Sequence, residues 1–137
     1  MAESISLEPK KTALIVIDMI NAIAKGQGPP YTVSPQRQSV IEHYQRLIAH
    51  CRKVGTPIIY FTNERRPDGV DAPKTISDIM GGAGGNPMAP GSLATQVVDE
   101  LKPAPEDFLQ IKTRFSGFYG TNLDSILKSL GTEIILV

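Results

Sequence analysis

The sequence has a single cysteine, no excess of either charge and no long apolar run. Cys51 has no second cysteine with which to form an intrachain disulfide, and no group of cysteine and histidine has metal-ligand spacing. The 14 Lys and Arg balance the 14 Asp and Glu, so no net field attracts nucleic acid or an acidic membrane surface. We therefore expect a fold that needs no disulfide, metal or cofactor, and no nucleic-acid or membrane partner.

The chain also lacks the pattern of a secretory leader, which is a basic start, an apolar stretch and a small-residue cleavage site. Its longest apolar runs, Ala13–Ile17 and Ile134–Val137, are far shorter than the roughly 20 residues of a membrane-spanning helix. These absences predict a cytoplasmic protein. The 137 residues, 41% of them hydrophobic, suit one domain over residues 1–137.

Four short apolar segments are predicted to be strands buried in a sheet. Continuous apolar, partly β-branched runs are typical of parallel strands that are covered on both faces. The four segments are Ala13–Ile17, Pro57–Thr62, Phe108–Ile111 and Glu133–Val137. Because the last of them ends at Val137 with nothing after it to cover it, we expect a C-terminally truncated domain with one sheet face left bare.

Helical patterns separate these strands. The clearest has apolar residues at three- and four-residue steps between Ser34, the predicted N-cap, and Gly55, the predicted stop. Shorter helices are predicted over Ser92–Leu101 and over Thr121–Leu130, with Thr121 as N-cap. The alternation predicts an α/β fold, namely a doubly wound, mostly parallel, Rossmann-like sheet with helices on both faces. The Gly81–Gly85 stretch lacks the features of a phosphate loop and is predicted to be a flexible segment near the site.

Polar residues follow the predicted strands, where ligands bind in open α/β sheets. They are Asp18 and Asn21 after the first strand, Asn63, Glu64, Arg65 and Arg66 after the second, and Lys112, Thr113 and Arg114 after the third. Asp18 follows five apolar residues, so its carboxylate needs a partner, and Lys112 occupies the equivalent place on another strand. Position alone favours a structural ion pair and an active-site pair about equally.

Four ordered blocks of the chain resemble the isochorismatase-like cysteine hydrolases. The blocks are Thr12–Asn21, Gly55–Tyr60, Lys112–Leu123 and Leu130–Leu136. The resemblance implies an Asp, Lys and Cys triad in which Asp18 and Lys112 match the first two members. The family's cysteine follows the strand that matches Ile134–Val137, which places it beyond the residues of this sequence.

This resemblance implies hydrolysis of a C–N bond in a small amide or ureido compound, by a homo-oligomer that is a dimer or tetramer. In such a site the aspartate takes the thiol proton, while the ammonium favours the thiolate. Without the thiol, the 137 residues as given are expected to be inactive. Two alternatives stay open: a truncated, non-catalytic relative that binds a small molecule or a partner, and an isochorismatase that cleaves a vinyl ether.

The residues predicted to bind substrate are Asn21, Arg65 and Phe115. Arg65 could bind a substrate carboxylate with two hydrogen bonds, as could Arg66 and Arg114, although each arginine taken alone is more simply a solvated loop residue. Phe115 could line a pocket, pack its loop onto the sheet or lie in a subunit interface. No histidine follows the second strand, which disfavours a metal-dependent nicotinamidase. Cys51, on the apolar face of a helix, is predicted to be packed rather than catalytic.

Overall fold

The computed structural model describes residues 6–26, 37–74 and 88–137. Within these ranges one sheet contains four strands, and every observed boundary lies within one residue of the prediction. The strands are β1 (Thr12–Ile17), β2 (Ile58–Asn63), β3 (Phe108–Lys112) and β4 (Ile134–Leu136). The helices are α1 (Asn21–Ala24), α2 (Arg37–Val54) and α3 (Leu123–Ser129). Among the described residues, no helix is long and apolar enough to cross a membrane.

The strand order is β3-β2-β1-β4, and all three pairings are parallel, as predicted. The chain builds the sheet outward from β1 through β2 to β3 and then returns to the other side of β1. The order therefore reverses between β1 and β4. Crevices for ligands form at such a reversal, outside the carboxyl ends of the strands.

One face of the sheet is covered by α2. Ile41, Ile48 and Cys51 of this helix belong to a single core cluster with residues of the two central strands, among them Leu14 and Tyr60. The helix ends before Gly55, whose φ of +77° suits a residue without a side chain. The predicted stop is confirmed, whereas the predicted N-cap Ser34 lies outside the described residues.

The opposite face is covered by α3. Leu123 and Leu127 pack with Ile15 and Phe61 in a second cluster, so helices lie on both faces of the sheet as predicted. The N-cap of this helix is Asn122, so the predicted N-cap Thr121 is wrong by one residue, although the Thr121 hydroxyl oxygen accepts a hydrogen bond from the Leu123 N–H at 3.2 Å.

The helix predicted over Ser92–Leu101 is wrong. Two 3-10 turns, Leu93–Thr95 and Asp99–Leu101, occupy this stretch with extended residues between them. Val97 forms an antiparallel bridge with Ile20, and the Val98 N–H donates to the Met19 carbonyl at 3.0 Å. These backbone groups bind the segment that follows β1, which an α-helix could not do because its own turns would use them.

The central strand β1 and the edge strand β4 differ in solvent exposure. Residues Thr12 to Val16 of β1 are at most 2% exposed, whereas Ile134 and Ile135 of β4 are each 37% exposed. The strand at this edge is thus less covered than the centre of the sheet, and the expected truncation stays a prediction. The Gly81–Gly85 stretch, predicted to be flexible, lies outside the described residues.

Candidate active site

Asp18 occupies a strained position directly after β1. Its φ of +56° is the only positive value at a non-glycine residue in the described parts of the chain. This left-handed conformation costs a residue with a Cβ about 1 kcal/mol, and such residues concentrate at functional sites. The Asp18 N–H donates to the Phe61 carbonyl at 3.1 Å, which ties the bend to β2. The chain thus leaves the sheet beside the point where the strand order reverses.

Lys112, the last residue of β3, reaches Asp18 across the end of β2. Its Nζ donates to Asp18 Oδ2 at 2.9 Å and to the Arg114 carbonyl at 3.2 Å. Strands β1 and β3 flank β2, so roughly 10 Å separates their backbones, a span that requires a long side chain. The Lys112 side chain is 1% exposed and that of Asp18 is 24% exposed. The structure therefore brings together the two residues that were predicted to form a pair.

Part of the hydrogen-bonding capacity of this pair is unused within residues 6–26, 37–74 and 88–137. Asp18 Oδ1 is buried and has no hydrogen-bond partner among the described residues. An ammonium group has three N–H donors, and two of those of Lys112 are accounted for within the described chain. A buried ion pair stabilises a fold when its remaining atoms are also satisfied. The incomplete set is therefore better suited to receiving a ligand than to holding the sheet together.

The end of β2 contributes a further buried acceptor. Asn63 is 5% exposed and is in register with Lys112 on β3. Its Oδ1 is buried without a hydrogen-bond partner in the described part of the protein. Asn63 is one of the polar residues that follow the second predicted strand, but it is not among the predicted substrate-binding residues. Its register with Lys112 marks it as a candidate binding residue, but the sequence does not show this because the register of two strands cannot be read from either segment alone.

Arg65 differs from the solvated loop residue that was the simpler interpretation. It is 4% exposed, and its backbone N–H donates to the Met88 carbonyl at 2.8 Å. That interpretation is wrong for Arg65, whose guanidinium lies inside the protein two residues after Asn63. Arg66 is exposed and pairs with Asp68 at 2.5 Å, as a surface residue does.

Arg114, in the loop that follows β3, is held by contacts with Asp71 and Tyr119. Its Nη1 donates to the Asp71 carbonyl, and its guanidinium carbon lies 5.7 Å from the centroid of the Tyr119 ring. In the same loop, Gly117 approaches the Phe61 ring so closely that a Cβ there would lie 3.2 Å from it. The loop therefore packs onto the carboxyl end of the sheet on the α3 side.

Asn21 and Phe115 lie in different surroundings. Asn21 is 7% exposed, and its Nδ2 donates to the Leu93 carbonyl at 3.0 Å, which links α1 to the following 3-10 turn. Phe115 is 75% exposed. Substrate binding by either residue stays a prediction.

Cys51, a residue of α2, packs in the core between this helix and the sheet, as predicted. It is 2% exposed, and burial raises the pKa of its thiol. The Cys51 carbonyl accepts a hydrogen bond from the Thr56 N–H, just before β2, and the first residue of β2 is in register with Leu14 of β1. Cys51 therefore lies near Leu14, and Leu14 is four residues, or about 13 Å of strand, away from Asp18. Cys51 is therefore no nucleophile for this site. The described residues also contain no group of three or more His, Cys, Asp or Glu placed to hold a metal ion.

Residues 12–137 match the family model for the Isochorismatase domain. The chain therefore belongs to the isochorismatase family, as the four sequence blocks indicated. It is similar to the ureidoacrylate amidohydrolases RutB of Agrobacterium fabrum, at 32% identity, and Rhizobium rhizogenes, at 31% identity. The alignments cover 94% of this chain and 63% and 58% of the two relatives, so the chain spans about six-tenths of their length.

Solved structures show the same fold. A cysteine hydrolase from Pseudomonas syringae pv. phaseolicola superimposes with a TM-score of 0.82 at 26% identity, over 94% of this chain and 59% of that one. An N-carbamoylsarcosine amidase from Thermoplasma acidophilum gives a TM-score of 0.72 at 29% identity, over 91% and 65% of the two chains. The doubly wound, mostly parallel α/β fold predicted from the sequence is thereby confirmed.

Proposed function

We propose that the protein containing these residues hydrolyses a C–N bond of a small amide or ureido compound, with Asp18 and Lys112 as catalytic residues. The observation that carries this proposal is the pair itself. Lys112 Nζ lies 2.9 Å from Asp18 Oδ2, beside the reversal of strand order, while Asp18 Oδ1 is buried with no partner in the described chain. A proton acceptor next to a buried ammonium is the arrangement that activates a thiol.

The proposed reaction uses a cysteine thiol from outside Met1–Val137, because Cys51 is packed away from Asp18. Asp18 accepts the thiol proton, the sulfur attacks the substrate carbonyl, and the ammonium of Lys112 favours the thiolate. Collapse of the tetrahedral intermediate breaks the C–N bond, and the proton on Asp18 passes to the leaving nitrogen. Water then hydrolyses the thioester and releases the acid.

Two further observations support this choice of substrate. The names of the relatives describe a ureidoacrylate amidohydrolase and an N-carbamoylsarcosine amidase, both of which act on C–N bonds. Arg65, buried two residues after β2, is a suitable group for a carboxylate on such a substrate, since a guanidinium binds carboxylates with two parallel hydrogen bonds.

The test is ammonia release by the full-length gene product from a panel of small compounds. The panel contains a ureido acid such as N-carbamoylglycine, simple primary amides, and a vinyl ether for the isochorismatase alternative. We expect ammonia from ureido or amide members. Cleavage of the vinyl ether with no ammonia from any other member would overturn the proposal in favour of that alternative.

We also propose that the protein forms a homo-oligomer. The loop after β3 exposes three aromatic residues, since Phe115 is 75%, Phe118 56% and Tyr119 64% exposed. Exposed aromatic groups in one loop are typical of residues that pack against another chain. Light scattering of the full-length protein should give a dimer or tetramer, and a monomer at micromolar concentration would contradict this.

A further inference from the structure

We propose that Asn63 positions the substrate by accepting a hydrogen bond from an N–H of the amide or ureido group that is cleaved. This inference rests on the function proposed above and assigns part of its substrate selectivity to one side chain. Asn63 is a positioning residue here, because it binds the substrate without taking part in proton transfer.

The place of Asn63 in the sheet supports this role. In a parallel pair, residues in register project to the same face, so Asn63 and Lys112 share the α3 face of the sheet. The Lys112 side chain runs across the end of β2 on that face to reach Asp18. Asn63 therefore lies between the proposed catalytic residues Lys112 and Asp18, on the face of the sheet that the Lys112 side chain crosses.

The unused acceptor on Asn63 defines what it would bind. A buried carbonyl oxygen without a donor costs free energy that a ligand N–H would recover. Asn63 Oδ1 and the carboxylate oxygen Asp18 Oδ1 are two buried acceptors without a partner among the described residues, and the Lys112 ammonium that contacts Asp18 is a donor. Amide and ureido groups present N–H donors next to a carbonyl acceptor and so match this set. An ester has the carbonyl but no N–H, and a site built to bind an N–H discriminates against it.

Thr62 offers a matched control. Its Oγ1 is also buried without a hydrogen-bond partner among the described residues, and it precedes Asn63 on the same strand. Because side chains alternate along a strand, Thr62 projects to the α2 face, away from Lys112. Replacing Thr62 by valine removes an unpartnered oxygen with little change in shape and should leave the site intact.

The experiment compares Asn63→Leu and Thr62→Val in the full-length protein, using a primary amide and the methyl ester of the same acid. We expect Asn63→Leu to lower kcat/KM on the amide by about 10- to 100-fold, the effect of one lost hydrogen bond, and on the ester by less than about threefold. Thr62→Val should change neither by more than about threefold. Equal losses on amide and ester in Asn63→Leu would overturn the proposal.

A second measurement separates this inference from the proposed function. N-carbamoylglycine should raise the Tm of the wild-type and Thr62→Val proteins but not that of Asn63→Leu. Without ligand, Asn63→Leu should melt within about 2 °C of wild type, because the buried Oδ1 that it removes has no hydrogen-bond partner among the described residues; a fall of more than about 5 °C would show a structural role instead. If this pattern holds but no ammonia is released, the proposed function fails and the binding role of Asn63 stands. If ammonia is released while amide and ester suffer equally, Asn63 alone is excluded.

Discussion

The sheet has an amino edge, where its strands begin, and a carboxyl edge, where they end. Each carries an ion pair between residues far apart in the chain, and the two pairs are built differently. At the amino edge, Arg52 of α2 contacts Asp107, the residue before β3, at 2.5 Å. At the carboxyl edge, Lys112 contacts Asp18 at 2.9 Å. The amino-edge pair buries its carboxylate, with Asp107 3% and Arg52 35% exposed, whereas the carboxyl-edge pair buries its cation, with Lys112 1% and Asp18 24% exposed.

The surroundings of the two carboxylates differ in the same sense. Asp107 Oδ2 also accepts from the Ala104 N–H at 2.8 Å, and within the described ranges neither Asp107 nor Arg52 has a buried polar atom without a partner. Asp18 has both a positive φ and a buried acceptor, Oδ1, with no partner among the described residues. The comparison shows a pair whose bonds are complete and serve the fold, and a pair whose incomplete bonds and strained backbone suit a reaction.

The largest expected difference between the two pairs is in activity. Lys112→Met in the full-length protein should lower kcat/KM on an amide or ureido substrate by about 10³-fold or more, because the ammonium that is proposed to favour the thiolate is lost. Arg52→Met should leave kcat/KM within about threefold of wild type. If ammonia release shows similar losses of kcat/KM in the two variants, the carboxyl-edge pair has no greater role in activity than the amino-edge pair.

Stability, unlike activity, should depend on the amino-edge pair. Arg52→Met should lower the free energy of unfolding by about 2 kcal/mol, since Asp107 is left buried without its cation while the partial exposure of Arg52 limits the loss. Lys128→Met is the control, because Lys128 pairs with Asp124 on the surface of α3 at 76% and 64% exposure. It should cost about 0.5 kcal/mol or less in urea denaturation. Equal costs would show that Arg52 and Asp107 form an ordinary surface pair.

The loop over the carboxyl edge should respond to a single methyl group. Gly117→Ala should lower stability by about 1 kcal/mol, because the new Cβ would lie 3.2 Å from the Phe61 ring. If this contact is the cause, Phe61→Leu should reduce the cost of Gly117→Ala when the two are combined. Strict additivity of the two losses in a double-mutant cycle would assign the cost to another source.

The smallest change in activity is expected for Cys51. Cys51→Ala should leave kcat/KM within about twofold, because the residue lies in the core near the start of β2. Since burial raises the pKa of this thiol, a thiol reagent should label Cys51 in the folded 137-residue chain at least about tenfold more slowly than in urea. Equal labelling rates would contradict its packing.

The strands and the Asp18–Lys112 pair were predictable because they depend on local patterns. Burial on both faces produces continuous apolar segments such as Ala13–Ile17, and the residue that follows each segment marks the carboxyl edge. Two features depended on contacts between segments and were not predicted. The Ser92–Leu101 stretch is extended around Val97 because it bridges to Ile20, and the position of Asn63 depends on the register of β2 with β3.

The most direct test of the central claim is the Asp18→Asn variant of the full-length protein, assayed for both activity and melting temperature. Asparagine keeps the shape of aspartate and adopts a positive φ at least as readily, but it cannot accept the thiol proton. We expect kcat/KM to fall about 10³-fold while the Tm stays within a few degrees of wild type. A variant that keeps wild-type activity but melts several degrees lower would show that Asp18 and Lys112 form a structural pair, and would contradict their proposed role in catalysis.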